Sequence, residues 1–246
     1  MPTVKDVYNA IDKMYPYNLS EIWDNNGILI NSGGDVTGIL VTLDITNDAV
    51  RCAKENDINL IVSHHPVIFD SIKSINFYEH EILINLLKNN INAISAHTNL
   101  DKAPGGLTST LAKILGLSDT REFENGVGII GSLTKEMPVD EFILKIKKDI
   151  NTPFLRVVKG SKSIKKVAAV PGAGSYAAQA LANGADAYVS GEIKHSDCVL
   201  AHSKGLCVIQ AGHFETEIFA LPLLVKAVKT VKDVKIHTFE KNIYSY

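Results

Sequence analysis

The chain is poor in cysteine, and the few it has stand apart. Cys52, Cys198 and Cys207 are three among 246 residues and form no CxxC pair. No disulfide framework is expected, and the thiols read as small buried hydrophobes in a reducing compartment. Long apolar runs are also missing. Nothing approaches the ~18 residues of a membrane span, and the opening segment MPTVKDVYNAI reads as a short amphipathic helix, not a signal peptide. A basic stripe is missing too. The formal net charge is −2, and the densest basic stretch, KGSKSIKK at 159–166, reads as a solvated loop. Nucleic-acid binding rests on phosphate neutralisation by clustered Lys and Arg, so that class is argued against. A cytoplasmic protein without a membrane partner is expected.

What remains is ordinary for a globular chain: 46% hydrophobic and 21% charged residues. Apolar runs alternate with helical patterns. Thr3 can cap a first helix reaching about Met14. GILVTL at 38–43, Leu60–Val62 and Ile91–Ala96 read as buried strands, separated by helices over Asn47–Glu55 and Glu79–Lys88, with a further helix over Leu107–Leu115. After the polar stretch SDTREFENG the pattern restarts, and it ends in a long helix from about Glu215 to Val228. Helices between strands imply βαβ crossovers and largely parallel pairing. A weak internal repeat supports this: AKENDINLIVSHH resembles LANGADAYVSGE, and NAISAH resembles CVIQAGH. The expected fold is α/β, with two similar lobes of mostly parallel sheet, residues 1–125 and 126–246, and a metal site in the cleft between them.

Ligands of open parallel sheets bind beyond the carboxyl ends of the strands. Three expected strand ends carry polar groups of metal-binding type. SHHP places His64 and His65 directly after one strand; on extended backbone adjacent side chains point to opposite sides, so the pair could serve two ions or one. AHTNLD supplies His97 and Asp101. Asp101 is a hard oxygen donor able to bridge ions, while His97 could be a ligand, a proton shuttle or, the favoured reading, a partner that orients the ligands. GHFETE supplies His213 and Glu217, spaced i and i+4 so that one helix face presents both, with Glu215 turned away. Each piece alone also reads as an ordinary polar turn or acidic first helical turn. Together, imidazoles and carboxylates form a mixed N/O set suited to Zn, Fe, Mn, Co or Ni. Five donors exceed one tetrahedral ion, which argues for two divalent ions. Asp44 could reach the same region or cap the next helix. Glu192 and His195, in SGEIKHSD, could line the pocket, with His195 a second proton-transfer candidate beside His97. PGAGS at 171–175 could offer backbone N–H groups to an anion or simply form a tight turn.

WDNNG at 23–27, TLDIT at 42–46, SHHP, SAHTNLD and GHFETE, in that order, resemble the GTP cyclohydrolase 1 type 2 homologue family, also called NGG-interacting factor 3-like. The resemblance runs from residue 1 to about 240. It implies that His64, His65, Asp101, His213 and Glu217 hold two divalent metals, and that the chain forms a ring-shaped homohexamer without the inserted middle domain of many relatives. One position departs from the family's loop: polar Asn26 stands where an apolar residue is usual. Hydrolysis of a nucleotide-like small molecule is the activity the family name implies. A non-catalytic metal carrier and a metal-stabilised scaffold are the alternatives, and fold alone does not choose among them.

Overall fold

The computed structural model describes residues 1–244 of the chain. These divide into two compact units. One comprises Met1–Ala103 and Ala220–Ile243, the other Pro104–Phe219. The sequence reading places the boundary at 125/126. Helix Leu107–Leu115 already belongs to the second unit, where Leu111 and Leu115 enter its core. The chain also returns to the first unit at its end, because strand Lys235–Phe239 pairs with Gly38–Thr42.

In the first unit five strands form a sheet in the order Gly27–Ile30, Asn92–Ser95, Leu60–Ser63, Gly38–Thr42, Lys235–Phe239. All neighbours are parallel except the edge strand Gly27–Ile30. The central strands LIVS, NAIS and GILVT are buried along their whole length, as parallel strands covered on both faces must be. Their register aligns Thr42 with Ser63 and Ser63 with Ser95. The residues that follow each strand are thereby delivered to one sheet edge. Helices Asn47–Glu55 and Phe77–Lys88 contribute Ala49, Ala53, Leu83 and Leu86 to the core beneath Leu40, Ile61 and Ala93. Helix Val4–Met14 starts at Thr3, whose hydroxyl accepts from Asp6 N–H while the Asp6 carboxylate accepts from Thr3 N–H.

The second unit has six strands in the order Leu117–Phe123, Gly128–Pro138, Ser163–Ala173, Ala187–Glu192, Cys207–Gln210, Arg156–Val158. Its three consecutive strands Ser163–Ala173, Ala187–Glu192 and Cys207–Gln210 are parallel, while the flanking pairs are antiparallel. Alternate residues of one strand serve two cores. Val167 and Ala169 meet Phe142 and Ile146 on one face, and Ala168 and Val170 meet Ala177, Ala180 and Ala201 on the other. SDTREFENG, read as a bare polar stretch, contains most of the outermost strand. Five of that strand's seven residues are exposed, and charge on an edge discourages pairing with other chains.

The long final helix is broken into His213–Glu217 and Ala220–Val228. Pro222 explains the break: it has no N–H to donate to Ile218 O, and its ring clashes with that carbonyl. No helix among the described residues is long and apolar enough to cross a membrane.

Candidate metal centre

In the first unit the edge defined by Thr42, Ser63 and Ser95 carries three histidines. One ring nitrogen from each of His64, His65 and His97 lies within 4.8 Å of those of the other two. Each ring is anchored through Nδ1. His64 Nδ1 meets Ala96 O at 2.9 Å, His65 Nδ1 meets Asp44 Oδ1 at 2.8 Å, and His97 Nδ1 meets Asp24 Oδ1 at 2.8 Å. A carbonyl or an ionised carboxylate can only accept, so Nδ1 must donate in all three. In the neutral imidazole the lone pair then belongs to Nε2, the tautomer of a metal ligand whose other nitrogen is fixed by an oxygen acceptor. His64 is 0% exposed. Asp101, on the short helix Thr98–Lys102, sets Oδ1 3.7 Å from His64 Nε2. Two ligands sharing an ion at about 2.1 Å stand ~3.4 Å apart in tetrahedral geometry, so this spacing fits a shared ion.

Asp24 and Asp44 were not singled out as partners of particular histidines by the sequence. Asp44 does not cap the following helix; Thr46 does, its hydroxyl accepting from Ala49 N–H. Asp24 also accepts from the N–H and hydroxyl of Thr98. Burial raises its carboxyl pKa, but the hydrogen bond and charge of His97, with the Thr98 donors, bring it net below the usual carboxylate range. Asn26, the departure from the family loop, is satisfied by polar partners: its amide donates to Ser20 Oγ, Asp24 Oδ2 and Asn99 Oδ1. Replacing Asp44, the anchor of His65, with Ala is expected to lower divalent-metal affinity roughly 10- to 100-fold, the usual effect when a ligand loses its anchoring partner. Calorimetric titration of the apoprotein with Zn or Mn checks it.

In the second unit, His213 and Glu217 lie on one face of helix His213–Glu217, with His213 Nε2 2.9 Å from Glu217 Oε2. His213 Nδ1 is 3.5 Å from Glu192 Oε1, at the end of strand Ala187–Glu192. Glu217 is only 4% exposed. Glu215, read as turned away from that face, is nonetheless buried. It is 6% exposed, its carboxylate folded over Gly212, where a Cβ would fall 1.9 Å from Oε2. PGAGS offers no open anion cradle. Pro171–Ala173 ends a strand, Gly172 N–H donates to Thr216 Oγ1, and Gly174 N–H donates to Glu192 O. His195 opens helix His195–Lys204, exposed to solvent. It belongs to neither the imidazole group of the first unit nor the His213–Glu217 pair of the second.

Each unit therefore holds imidazole nitrogen and carboxylate oxygen with no thiolate among them, a donor set that fits a borderline divalent ion.

The sequence profile described as Duf34/NIF3 (NGG1p interacting factor 3) matches residues 2–243. A GTP cyclohydrolase 1 type 2 homolog of Clostridium perfringens is 35% identical over 242 residues, covering 94% of this chain and 91% of the relative. One from Campylobacter jejuni is 31% identical over 247 residues, with 99% of each covered. The crystal structure of a Staphylococcus aureus hypothetical protein superposes with a TM-score of 0.88 at 28% identity, covering 100% of both chains. With anchored imidazoles at one sheet edge and a His–Glu pair on a short helix, the chain belongs to the Duf34/NIF3 (NGG1p interacting factor 3) family.

Proposed function

We propose that this protein is a divalent-metal-dependent hydrolase acting on a nucleotide-like small molecule. The observation that carries the reading is the common anchoring of His64, His65 and His97 through Nδ1, which suits Nε2 of His64 and His65 to ligation and Nε2 of His97 to proton transfer beside them. In this reading His64, His65 and Asp101 supply one part of the ligand set and His213 and Glu217 the other, together holding two ions. The names of the relatives from C. perfringens and C. jejuni support a GTP-like substrate. When bound, such ions supply Lewis acidity toward an electrophilic carbon or phosphorus.

The chain's own residues supply orientation and protons. Asp24 keeps the proton of His97 on Nδ1, so Nε2 is the atom at which His97 takes up a proton and later returns it to a leaving group. His195, exposed and outside the cluster, is the second proton-transfer candidate. His97→Ala is expected to lower turnover roughly 100- to 10,000-fold, and His195→Ala by less than about tenfold. Steady-state kinetics on one substrate compare the two. The ring-shaped homohexamer belongs to the same proposal and is read by native mass measurement.

The test of the whole reading is metal analysis of the purified protein, followed by turnover of GTP and related nucleotides with and without chelator. Metal-dependent ring opening or phosphate release supports it. Stoichiometric metal with no turnover across nucleotide, amide and phosphoester panels replaces the hydrolase with a metal carrier.

A further inference from the structure

Beside the imidazole cluster stand two aromatic rings that the metal chemistry does not use. Trp23 is 59% exposed and Phe69 48%. Their centroids are 5.9 Å apart and the rings are tilted by 46°. Both present themselves nearly perpendicular to His97, at 6.3 and 6.4 Å. Single exposed apolar residues need no explanation, but these two are held in place. Asn25, two residues after Trp23, donates to Ile68 O at 2.7 Å, joining the two loops. Asp24, on the peptide after Trp23, is tied to His97 and Thr98. The backbone under the indole is thus fixed by polar bonds while its face stays in water.

We propose that Trp23 and Phe69 form a stacking platform for a planar heteroaromatic ring, such as a purine, and present the edge of that ring to His97 and the neighbouring imidazoles. This deepens the hydrolase reading and rests on it, since it names what the same site recognises. The two centroids are too close to admit a third ring between them, because each stacked pair needs about 4.5 Å or more. The ligand ring therefore lies across the outer face of Trp23, with Phe69 at its edge. Stacking accepts any base-like π-face and ignores a bare sugar phosphate. The platform thus selects a heterocycle, and it directs ring atoms rather than phosphate toward the cluster.

Trp23 is the only tryptophan in the chain, so intrinsic tryptophan emission reports on this one position. The metal-free full chain is titrated with guanosine and, separately, with ribose 5-phosphate. Saturable quenching by guanosine alone is expected. Calorimetry should show guanosine binding roughly 5- to 150-fold weaker in Trp23→Ala, with much of it restored in Trp23→Phe. Absence of quenching, or unchanged guanosine affinity in Trp23→Ala, overturns the platform. So does a change in oligomeric mass in Trp23→Ala with guanosine affinity intact, which would assign these rings to contact with a second copy. Metal uptake is measured separately on the wild-type protein. Its failure refutes the metal-dependent reading, whereas failed quenching beside normal uptake refutes only the platform.

Discussion

Asp101→Asn is expected to cost more than 100-fold in divalent-metal affinity while leaving the metal-free fold intact. The substitution is nearly isosteric and removes a charge from a buried position, so the apoprotein should lose no stability. What it loses is the hard anionic donor 3.7 Å from His64 Nε2. An anchoring partner is worth about 10- to 100-fold in affinity, and a direct ligand should exceed that. The effect is visible in thermal unfolding. Ligand that binds only the folded state stabilises by about 2.7 kcal/mol at a hundred times its Kd, so metal should raise the wild-type midpoint and leave that of Asp101→Asn where it was. His64→Ala should abolish the metal response as well, but it also uncovers the buried carbonyl of Ala96, to which His64 Nδ1 donates. Its apoprotein should therefore be destabilised by about 1–3 kcal/mol. The contrast separates ligand loss from fold loss. An Asp101→Asn protein that still gains stability from metal as the wild type does would remove Asp101 from the ligand set.

The strand-end placement of the histidines was legible because the strands before them are short, buried along their length and followed at once by the polar residues. LIVS then His64–His65, and NAIS then Ala96–His97, leave little freedom in where those side chains emerge. The anchoring carboxylates were not legible as such. Asp24 lies 73 residues from His97, and Asp44 lies 21 from His65, so no local period links them. The available signal was an acidic residue inside each of the segments WDNNG and TLDIT. The burial of Glu215 was not legible because helical periodicity assumes one wet face, whereas Glu215, Thr216 and Glu217 are all buried. No change of composition marks Ala103, where the first compact unit breaks off. The terminal strand Lys235–Phe239 is largely exposed and alternates too weakly to announce itself.

Gly172→Ala should disrupt the His213–Glu217 pair as severely as removing one of its members. Gly172 sits at φ +60°, in the left-handed region, where a Cβ costs about 1–2 kcal/mol. That Cβ would also fall 1.9 Å from Glu217 Oε1, 2.7 Å from Glu217 Cδ and 3.2 Å from His213 Nε2. The carboxylate has little room to move, since Glu217 is buried and Glu215 and Thr216 on the same helix are buried too. Moving the backbone instead would break the bonds from Gly172 N–H to Thr216 Oγ1 and from Ser190 Oγ to Gly172 O. Overpacking adds about 1–3 kcal/mol, so the unfolding midpoint should fall by roughly 5–15 °C for a chain of this size. Metal affinity should fall with it, because the only relief is displacement of Glu217 from His213. A double-mutant cycle isolates the cause. If the clash is with the Glu217 side chain, adding Glu217→Ala to Gly172→Ala should recover part of the lost stability, a coupling of at least about 0.5 kcal/mol. Strict additivity of the two substitutions in thermal unfolding would show that Gly172 is required only for its backbone angle, and that the close crossing of this strand end beneath Glu217 does not set the carboxylate's position.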